Sequence, residues 1–435
     1  MHDADAILKS AAELLAQPTP QLDTGELHAF VEGFMNRRGQ FLDLAGRHGS
    51  PLYVLDRPAL RAAAREFVAT FGKHVQQFRP YYAVKSNNCP LIAATLVGEG
   101  IGLDVSSGIE LQMALNAGSR DIVFSGPGKT LAEMQLALDH ADRVVVLIDS
   151  FGELARLQAA AAAAGVTIRA GVRLTTLEHG LWRKFGINLS RLGEFMTAAK
   201  QCDRVRLCGL QFHTSWNLDP QRQVQFIALL GQTLAALAPQ QRGQIEFIDM
   251  GGGFWPGAGE WLQEAGTPAG MLRAATTAGW QASLTHYRIA AQPLEVFAAA
   301  IAEAQQQHLA PHLNARLCAE PGRWLCHNAM HLLLTVIDRK ADDLVITDAG
   351  ANAVGWERFE TDYFPVINLT RPALTERACM VMGSLCTPHD LWGYGYFGQD
   401  ILEGDVLLVP TQGAYTYSLR QEFIKPLPMV TCLEE

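Results

Sequence analysis

Residues 78–87 read Phe-Arg-Pro-Tyr-Tyr-Ala-Val-Lys-Ser-Asn, and this stretch gives the first indication of the fold. Aromatic and apolar residues dominate positions 78–84, which predicts a buried strand. The strand ends at Lys85, and a buried lysine costs free energy unless its amine has an ionic or covalent task. A desolvated lysine has a lowered pKa and can act as a nucleophile that forms a Schiff base. Lys85 is therefore a candidate catalytic residue, although a lysine emerging at a strand end would give the same pattern.

The pattern around this strand repeats from Asp56 to about Leu309, where short apolar runs alternate with alanine- and leucine-rich runs. We predict strands at residues 78–84, 102–105, 122–125, 143–148, 168–174, 207–213 and 245–250. We predict helices at residues 91–99, 110–117, 131–137, 151–164, 221–237 and 293–306. This alternation is typical of parallel βα units. It predicts an α/β fold, a (β/α)8 barrel whose functional residues lie at the carboxyl ends of the strands.

The chain changes character on either side of this region. Residues 1–48 are periodic and apolar apart from the breaks at Pro18 and Pro20, which predicts a helical extension without a chemical role of its own. After Pro311, short β-type runs are separated by glycine and proline, which predicts a β domain. We therefore expect a helical extension at residues 1–48, a barrel at residues 57–310 and a C-terminal β domain at residues 311–435.

Composition excludes several classes of protein. The 435 residues are 49% hydrophobic and 18% charged, as in a compact enzyme, and the net charge of −9 provides no basic surface for nucleic acid. No apolar run reaches the ~20 residues that a membrane helix needs. The acidic start does not resemble a targeting peptide. The eight cysteines include no Cys-x-x-Cys pair, so we expect no metal, free thiols and a cytoplasmic location.

Four further segments carry residues suited to one kind of chemistry. Residues 247–254, Phe-Ile-Asp-Met-Gly-Gly-Gly-Phe, lead from a strand into glycines whose backbone N–H groups can bind a phosphate. Glu320 opens the segment Glu-Pro-Gly-Arg after a strand, where a carboxylate can keep a pyridine nitrogen protonated. The other two segments are Gly-Ser-Leu-Cys386-Thr-Pro-His-Asp390 and Gly-Ala-Tyr415. Each segment alone is also consistent with an ordinary turn.

Taken together and in this order, the segments resemble those of the fold-type III pyridoxal-phosphate-dependent decarboxylases, which include diaminopimelate and ornithine decarboxylases. The matching positions are residues 49–55, 82–87, 102–110, 184–187, 213, 249–253, 320–323, 386, 390 and 413–415. The resemblance implies an alanine-racemase-like barrel followed by a C-terminal β domain, with a strand at residues 49–56 joining that domain. It also implies a homodimer with shared active sites, in which the β domain of one subunit completes the barrel site of the other.

The resemblance also assigns a role to each matching residue. Lys85 would hold pyridoxal 5'-phosphate as a Schiff base, Glu320 would pair with the ring nitrogen, and His213 would stack on the ring. The phosphate would be bound by the donors of Gly251, Gly252, Gly253, Arg323 and Tyr415.

The remaining matching residues would act around the lysine and the substrate. Asp104 and Glu110 would support the lysine and the ring. A solvated turn followed by the start of a helix would also explain acidic residues at these two positions. Cys386 would return a proton to Cα after carbon dioxide leaves.

Two departures from the family pattern concern the cofactor and the substrate. The histidine segment of the family is usually His-x-Gly-Ser, with a serine that helps to bind the phosphate, whereas here it is His213-Thr-Ser-Trp216. The phosphate contact is therefore lost or moved to Ser215, and Trp216 could narrow the pocket. After the cysteine, ornithine decarboxylases place Asp and diaminopimelate decarboxylases place Glu, whereas this chain has the neutral Thr387.

A third departure concerns the far end of the substrate. Trp356 stands about where diaminopimelate decarboxylases have an arginine for the distal carboxylate, and Arg358 or Arg371 could substitute for it. The residues expected to face the substrate are Cys386, Thr387, Trp356, Arg358 and Asp390.

We therefore predict pyridoxal-phosphate-dependent decarboxylation of an amino acid, either a diamino acid or a larger or modified one. One alternative is the diaminopimelate decarboxylase of lysine biosynthesis. A second is an amino-acid racemase on the same scaffold, which Glu320 disfavours because alanine racemases place an arginine there. A third is a non-catalytic cofactor carrier, which the β domain with Cys386 and Tyr415 disfavours.

Overall fold

The structure is a computed structural model that describes residues 4–17, 19–355 and 362–434. The chain divides into two compact units. The barrel unit comprises Ala59–Gly257 and Gln292–Cys326, and the β unit comprises Met1–Pro58, Ala258–Ala291 and His327–Glu435. Within the described residues, no helix is long and apolar enough to cross a membrane.

Eight parallel strands form a closed barrel in the barrel unit. In chain order they are Phe78–Ala83, Gly102–Val105, Ile122–Phe124, Val144–Ile148, Ile168–Thr175, Val205–Phe212, Phe247–Asp249 and Arg316–Ala319. Each pairs with the next, and the eighth pairs with both the seventh and the first. The short strand Ile187–Asn188 pairs with the end of the fifth. The predicted barrel is confirmed, and the carboxyl ends of all eight strands meet at one rim.

Helices precede the first barrel strand, lie between successive strands and follow the last strand. They are Arg57–His74, Pro90–Gly98, Gly108–Asn116, Leu131–Asp139, Phe151–Ala164, Leu192–Lys200, Gln221–Ala236, Pro239–Arg242, Leu294–Ala304 and Arg323–Cys326. Ser107, Thr130 and Ser150 cap the helices that follow the second, third and fourth strands, and each side-chain oxygen accepts a backbone N–H of the first turn. These caps fix where each strand gives way to its helix, and so they fix the shape of the rim.

The β unit is built on an eight-stranded sheet. The strand order across it is Leu344–Thr347, Glu376–Met382, Leu391–Phe397, Val366–Asn368, Val406–Val409, Met330–Ala341, Leu52–Asp56 and Met429–Leu433. The first strand of this order also pairs with Met330–Ala341, which closes six of the strands on themselves. Leu52–Asp56 lies between Met330–Ala341 and Met429–Leu433.

The N-terminal extension packs onto this unit together with the inserted segment Ala258–Ala291. The extension consists of helices Ala4–Ala16, Thr24–Met35 and Arg38–His48, and the insert consists of the paired strands Glu260–Gln263 and His286–Ile289 and the helix Pro268–Thr276. Leu22 N–H donates to the His286 carbonyl at 2.9 Å. Phe34 and Phe41 lie in the same buried apolar cluster as strand residues of the sheet. The second and third helices of the extension are thus part of the core of the β unit, whereas the helix Ala4–Ala16 has no buried residue.

Candidate active site

Lys85 lies in a single helical turn, Val84–Ser86, directly after the first barrel strand. Its Nζ is 3.8 Å from Asp104 Oδ2, at the end of the second strand, and the Asp104 side chain is completely buried. The Ser125 hydroxyl donates to Asp104 Oδ1 at 2.5 Å. Asp104 Oδ2 accepts no hydrogen bond among the described residues. A partly exposed amine therefore faces a buried carboxyl oxygen.

Two further carboxylates, Asp249 and Glu320, are buried at the same rim. Glu320 Oε1 accepts a hydrogen bond from Gln211 Nε2 at 3.2 Å. Burial, and then the nearby carboxylates of Asp104 and Asp249, raise the pKa of Glu320 well above its usual value. Burial also raises the pKa of Asp249, whose Oδ2 accepts no hydrogen bond among the described residues. Ionisation of Glu320 and Asp249 is thus unfavourable at this rim, and a buried cation beside them would favour their ionised forms.

His213 directly follows the sixth strand, and its imidazole is neutral. Its Nδ1 accepts the backbone N–H of Gly252 at 3.1 Å, so that nitrogen carries no proton. The other nitrogen, Nε2, lies 3.1 Å from the Ser215 hydroxyl and is the protonated one. Burial, and then the positive charges of Lys85 and Arg173, hold the pKa of His213 well below its usual value. The 4.0 Å approach of Nδ1 to Glu320 is therefore not an ion pair.

The three glycines after the seventh strand are held by close contacts. Gly253 has φ +83°, and a Cβ there would lie 2.1 Å from the Thr214 carbonyl oxygen, so only glycine fits. Gly251 N–H already donates to Asp249 Oδ1, and Gly252 N–H donates to His213. Of the three amides, only that of Gly253 makes no hydrogen bond within the described residues. Fewer backbone donors therefore remain for a phosphate than the sequence suggested.

Two arginines border the rim. Arg323 places its guanidinium carbon 4.3 Å from the centroid of the Trp255 ring. Arg173, on the fifth strand, stacks over Phe185 at 4.4 Å and lowers the pKa of His213. The sequence reading missed Arg173. The available signal was an arginine near the carboxyl end of the strand Ile168–Thr175, the end at which a barrel places its functional residues.

The chemistry of these donors fits pyridoxal phosphate. The buried acids offer a counter-charge for a protonated ring nitrogen, His213 offers a flat neutral ring, and Lys85 offers an amine for the aldehyde. The Gly253 amide and the Arg323 guanidinium are donors suited to a phosphate. Glu110, whose pKa is raised by burial, accepts the Ser106 N–H at 2.7 Å and braces the loop after the second strand.

The remaining predicted site residues lie in the β unit. Cys386 is exposed, and Tyr415 is half-buried with φ +55°. Asp390 is buried, and its two oxygens accept the backbone N–H groups of Ala351 and Leu385, both at 2.6 Å. Asp390 therefore holds the turn that presents Cys386 and Thr387. Trp356 and Arg358 lie outside the described residues.

No group of three or more acidic, histidine or cysteine side chains suited to a metal ion occurs in the part of the chain that the structure describes.

Comparison with known proteins agrees with this geometry. The sequence model of a family described as pyridoxal-dependent decarboxylase, pyridoxal binding domain, matches residues 60–327. The diaminopimelate decarboxylase of Methanothermobacter thermautotrophicus is 27% identical over 417 residues, which cover 91% of this chain and 89% of that protein.

Solved structures share the fold. A diaminopimelate decarboxylase from Helicobacter pylori, complexed with L-lysine, has a TM-score of 0.73 and 22% identity over 91% of this chain and 94% of its own. A lysine/ornithine decarboxylase from Vibrio vulnificus, complexed with putrescine, has a TM-score of 0.71 and 20% identity over 91% and 98%.

Proposed function

This chain belongs to the pyridoxal-dependent decarboxylases, and on that premise we propose that its Lys85 site decarboxylates an amino acid other than meso-diaminopimelate or ornithine. The observation that carries the reaction type is the buried acid cluster of Asp104, Asp249 and Glu320, which lacks a full set of partners and suits a cationic ring nitrogen. The alternatives of racemisation and of the lysine-pathway enzyme are not favoured.

We propose the following roles for the residues at the rim of the barrel. Lys85 would hold the cofactor covalently through its amine, which is also the group that the amino group of a substrate would have to displace. When bound at Lys85, pyridoxal phosphate would supply an acceptor for the electron pair that remains on Cα after the bond to the carboxylate breaks and carbon dioxide leaves. Glu320 keeps a proton on the ring nitrogen, which makes that acceptance favourable.

His213 supports the ring without competing for its charge. A protonated imidazole beside the ring would oppose protonation of the ring nitrogen. The Gly252 N–H directed at Nδ1, together with burial, keeps His213 neutral and leaves its face for stacking.

We propose that the enzyme is a homodimer in which Cys386 of one subunit protonates Cα in the barrel of the other. The exposure of Cys386 supports this, because a proton donor must be accessible to the carbon that it serves. The two hydrogen bonds to Asp390 hold the turn that carries the thiol. We also propose a reducing, cytoplasmic location, which is supported by the lack of disulfide bonds among the cysteines of the described residues.

Subunit mixing tests the shared site. Lys85→Ala and Cys386→Ala chains, each impaired alone, are expected to regain activity when co-expressed, because each mixed dimer rebuilds one intact site. Random mixing makes half of the dimers mixed, so about a quarter of wild-type activity should return. The matched control is Lys85→Ala with Glu320→Gln, which both alter the barrel and should give no recovery. Mixed dimers that form but stay inactive would refute the shared site.

The identity of the substrate follows from what this chain lacks. Thr387 offers no charge to a distal amine, unlike the acidic residues that ornithine and diaminopimelate decarboxylases place after the cysteine. An unpaired charged group in a desolvated pocket costs several kcal/mol. A larger or modified amino acid whose far end is not a bare ammonium is the better match.

A substrate panel tests this proposal through release of carbon dioxide. Meso-diaminopimelate and ornithine are expected to show kcat/KM at least about a hundredfold below that of the best substrate in a panel of basic, diacidic and siderophore-type amino acids. Thr387→Glu should narrow the gap for substrates with a distal amine, and Thr387→Val is the uncharged control. Efficient turnover of meso-diaminopimelate by the wild type would contradict the proposal.

A further inference from the structure

Two tryptophans and an arginine form a three-layer stack at the rim of the barrel unit. The Arg323 guanidinium carbon lies 4.3 Å from the Trp255 ring centroid. The rings of Trp255 and Trp216 are stacked, with centroids 6.0 Å apart and an angle of 27° between their planes. The three residues come from the segments that follow the eighth, seventh and sixth strands. The stack therefore joins the three loops that surround the predicted phosphate site.

The inner tryptophan is buried, and its indole N–H is available to donate a hydrogen bond. Trp255 is 4% exposed, and its Nε1–H makes no hydrogen bond among the described residues. A buried indole N–H normally finds a partner. The backbone of Trp255 is held in place by two hydrogen bonds. Trp255 N–H donates to the Asn217 carbonyl at 3.3 Å, and Asn217 N–H donates to the Gly253 carbonyl at 3.0 Å. The backbone bonds thus fix the Trp255 ring close to the Gly253 amide, which lies two residues earlier in the chain.

The outer tryptophan adopts an unfavourable backbone conformation. Trp216 has φ +54°, a left-handed conformation that costs a residue with a Cβ free energy, and its side chain is 60% exposed. Neither feature serves the packing of a core. Trp216 also occupies the position where the family pattern has a phosphate-binding serine. A strained, exposed ring at this point indicates a functional requirement for the stack.

The phosphate site needs donors beyond the glycines, because the Gly251 and Gly252 amides already donate to Asp249 and His213. An arginine serves a phosphate best when its planar group is held in one orientation. A guanidinium on an indole face is held in this way, and indole is the most favourable ring for the contact.

We propose that Trp255, backed by Trp216, positions Arg323 for the 5'-phosphate of the cofactor. The proposal rests on the proposed function, since it takes pyridoxal phosphate as the ligand of the rim. Trp255 and Trp216 are positioning residues, and Arg323 is the group that touches the phosphate.

Equilibrium dialysis of the apoprotein with pyridoxal phosphate and with pyridoxal, which lacks the phosphate, tests the proposal. Trp255→Leu is expected to raise the Kd for pyridoxal phosphate roughly tenfold and to leave that for pyridoxal within about twofold. Trp255→Phe keeps an aromatic face and should lose less affinity for pyridoxal phosphate than Trp255→Leu. Trp280→Leu, in the β unit, is the matched control and should change neither Kd.

A double-mutant cycle separates positioning from packing. In an Arg323→Ala background, Trp255→Leu should cause little further loss of pyridoxal phosphate affinity, because the residue through which it acts is gone. Equal losses for both ligands, or additive losses in the cycle, would overturn the proposal.

Two further measurements keep the test decisive. If Trp255→Leu fails to fold, Trp216→Gly decides the question. Glycine suits the positive φ at this position, so the Trp216→Gly variant should fold at least as stably as the wild type. It should raise the Kd for pyridoxal phosphate by about threefold and leave the Kd for pyridoxal unchanged. An unchanged Kd would overturn the proposal. Borohydride reduction should still attach the cofactor to Lys85 in every variant, whereas failure of the wild type to bind it there would refute the proposed function itself.

Discussion

Replacing Lys85 with alanine is expected to reduce decarboxylation to the background rate. The amine lies 3.8 Å from the buried carboxylate of Asp104, and no other lysine of the described residues forms an ion pair with Asp104, Asp249 or Glu320. Without it, the cofactor has no covalent attachment and substrate exchange has no leaving amine. The measurement is carbon dioxide release under multiple-turnover conditions.

The control for this loss is Lys73→Ala, which removes an exposed lysine of the same unit that pairs with Glu295 at 3.3 Å. It should leave the rate unchanged. Substantial multiple-turnover activity in Lys85→Ala would contradict the assignment of the nucleophile.

Replacing Glu320 with glutamine is expected to slow decarboxylation by roughly two orders of magnitude or more, which corresponds to ~3 kcal/mol of transition-state stabilisation. Glutamine keeps the shape and the hydrogen bond from Gln211 but removes the charge that holds a proton on the ring nitrogen. Glu246→Gln, at an exposed ion pair with Arg206, is the matched control and should be neutral. A variant with near wild-type rates would show that protonation of the ring is not limiting.

The same substitution should make the folded apoprotein more stable, although it slows the reaction. Burial raises the pKa of Glu320 in the folded state above its unfolded value, so ionisation favours the unfolded chain. The destabilisation is absent below the unfolded pKa and grows as the pH rises towards the folded pKa. Apo Glu320→Gln should therefore unfold at a higher temperature than apo wild type near neutral pH. A lower melting temperature would indicate that the slow rate reflects damage to the fold.

Local patterns in the sequence were sufficient to predict the barrel. Strands such as Val144–Ile148 are continuous apolar runs, as parallel strands buried on both faces require. The cluster of Asp104, Asp249 and Glu320 follows from closure, because the second, seventh and eighth strands end at one rim although their residues lie far apart in the chain.

Other features depend on contacts that no local pattern records. The insert Ala258–Ala291 packs with the N-terminal extension in the β unit because Leu22 and the segment around His286 pair across a long stretch of sequence. The glycine run predicted three phosphate donors, but the amides of Gly251 and Gly252 already donate to Asp249 and to His213, and His213 comes from a different strand end. The stacking of Trp255 beneath Arg323 likewise appears only once two loops are brought together.

The central claim is that pyridoxal phosphate is bound at Lys85, beside His213 and Glu320, and the most direct test is to locate the attached cofactor. The purified protein should be yellow, and borohydride reduction followed by proteolysis and mass spectrometry should find one pyridoxyl-modified peptide, which contains residues 82–87. Lys85→Ala should yield no such peptide, and Lys73→Ala should yield it unchanged. A cofactor attached to any lysine other than Lys85, or no attached cofactor in the wild-type protein, would contradict the account.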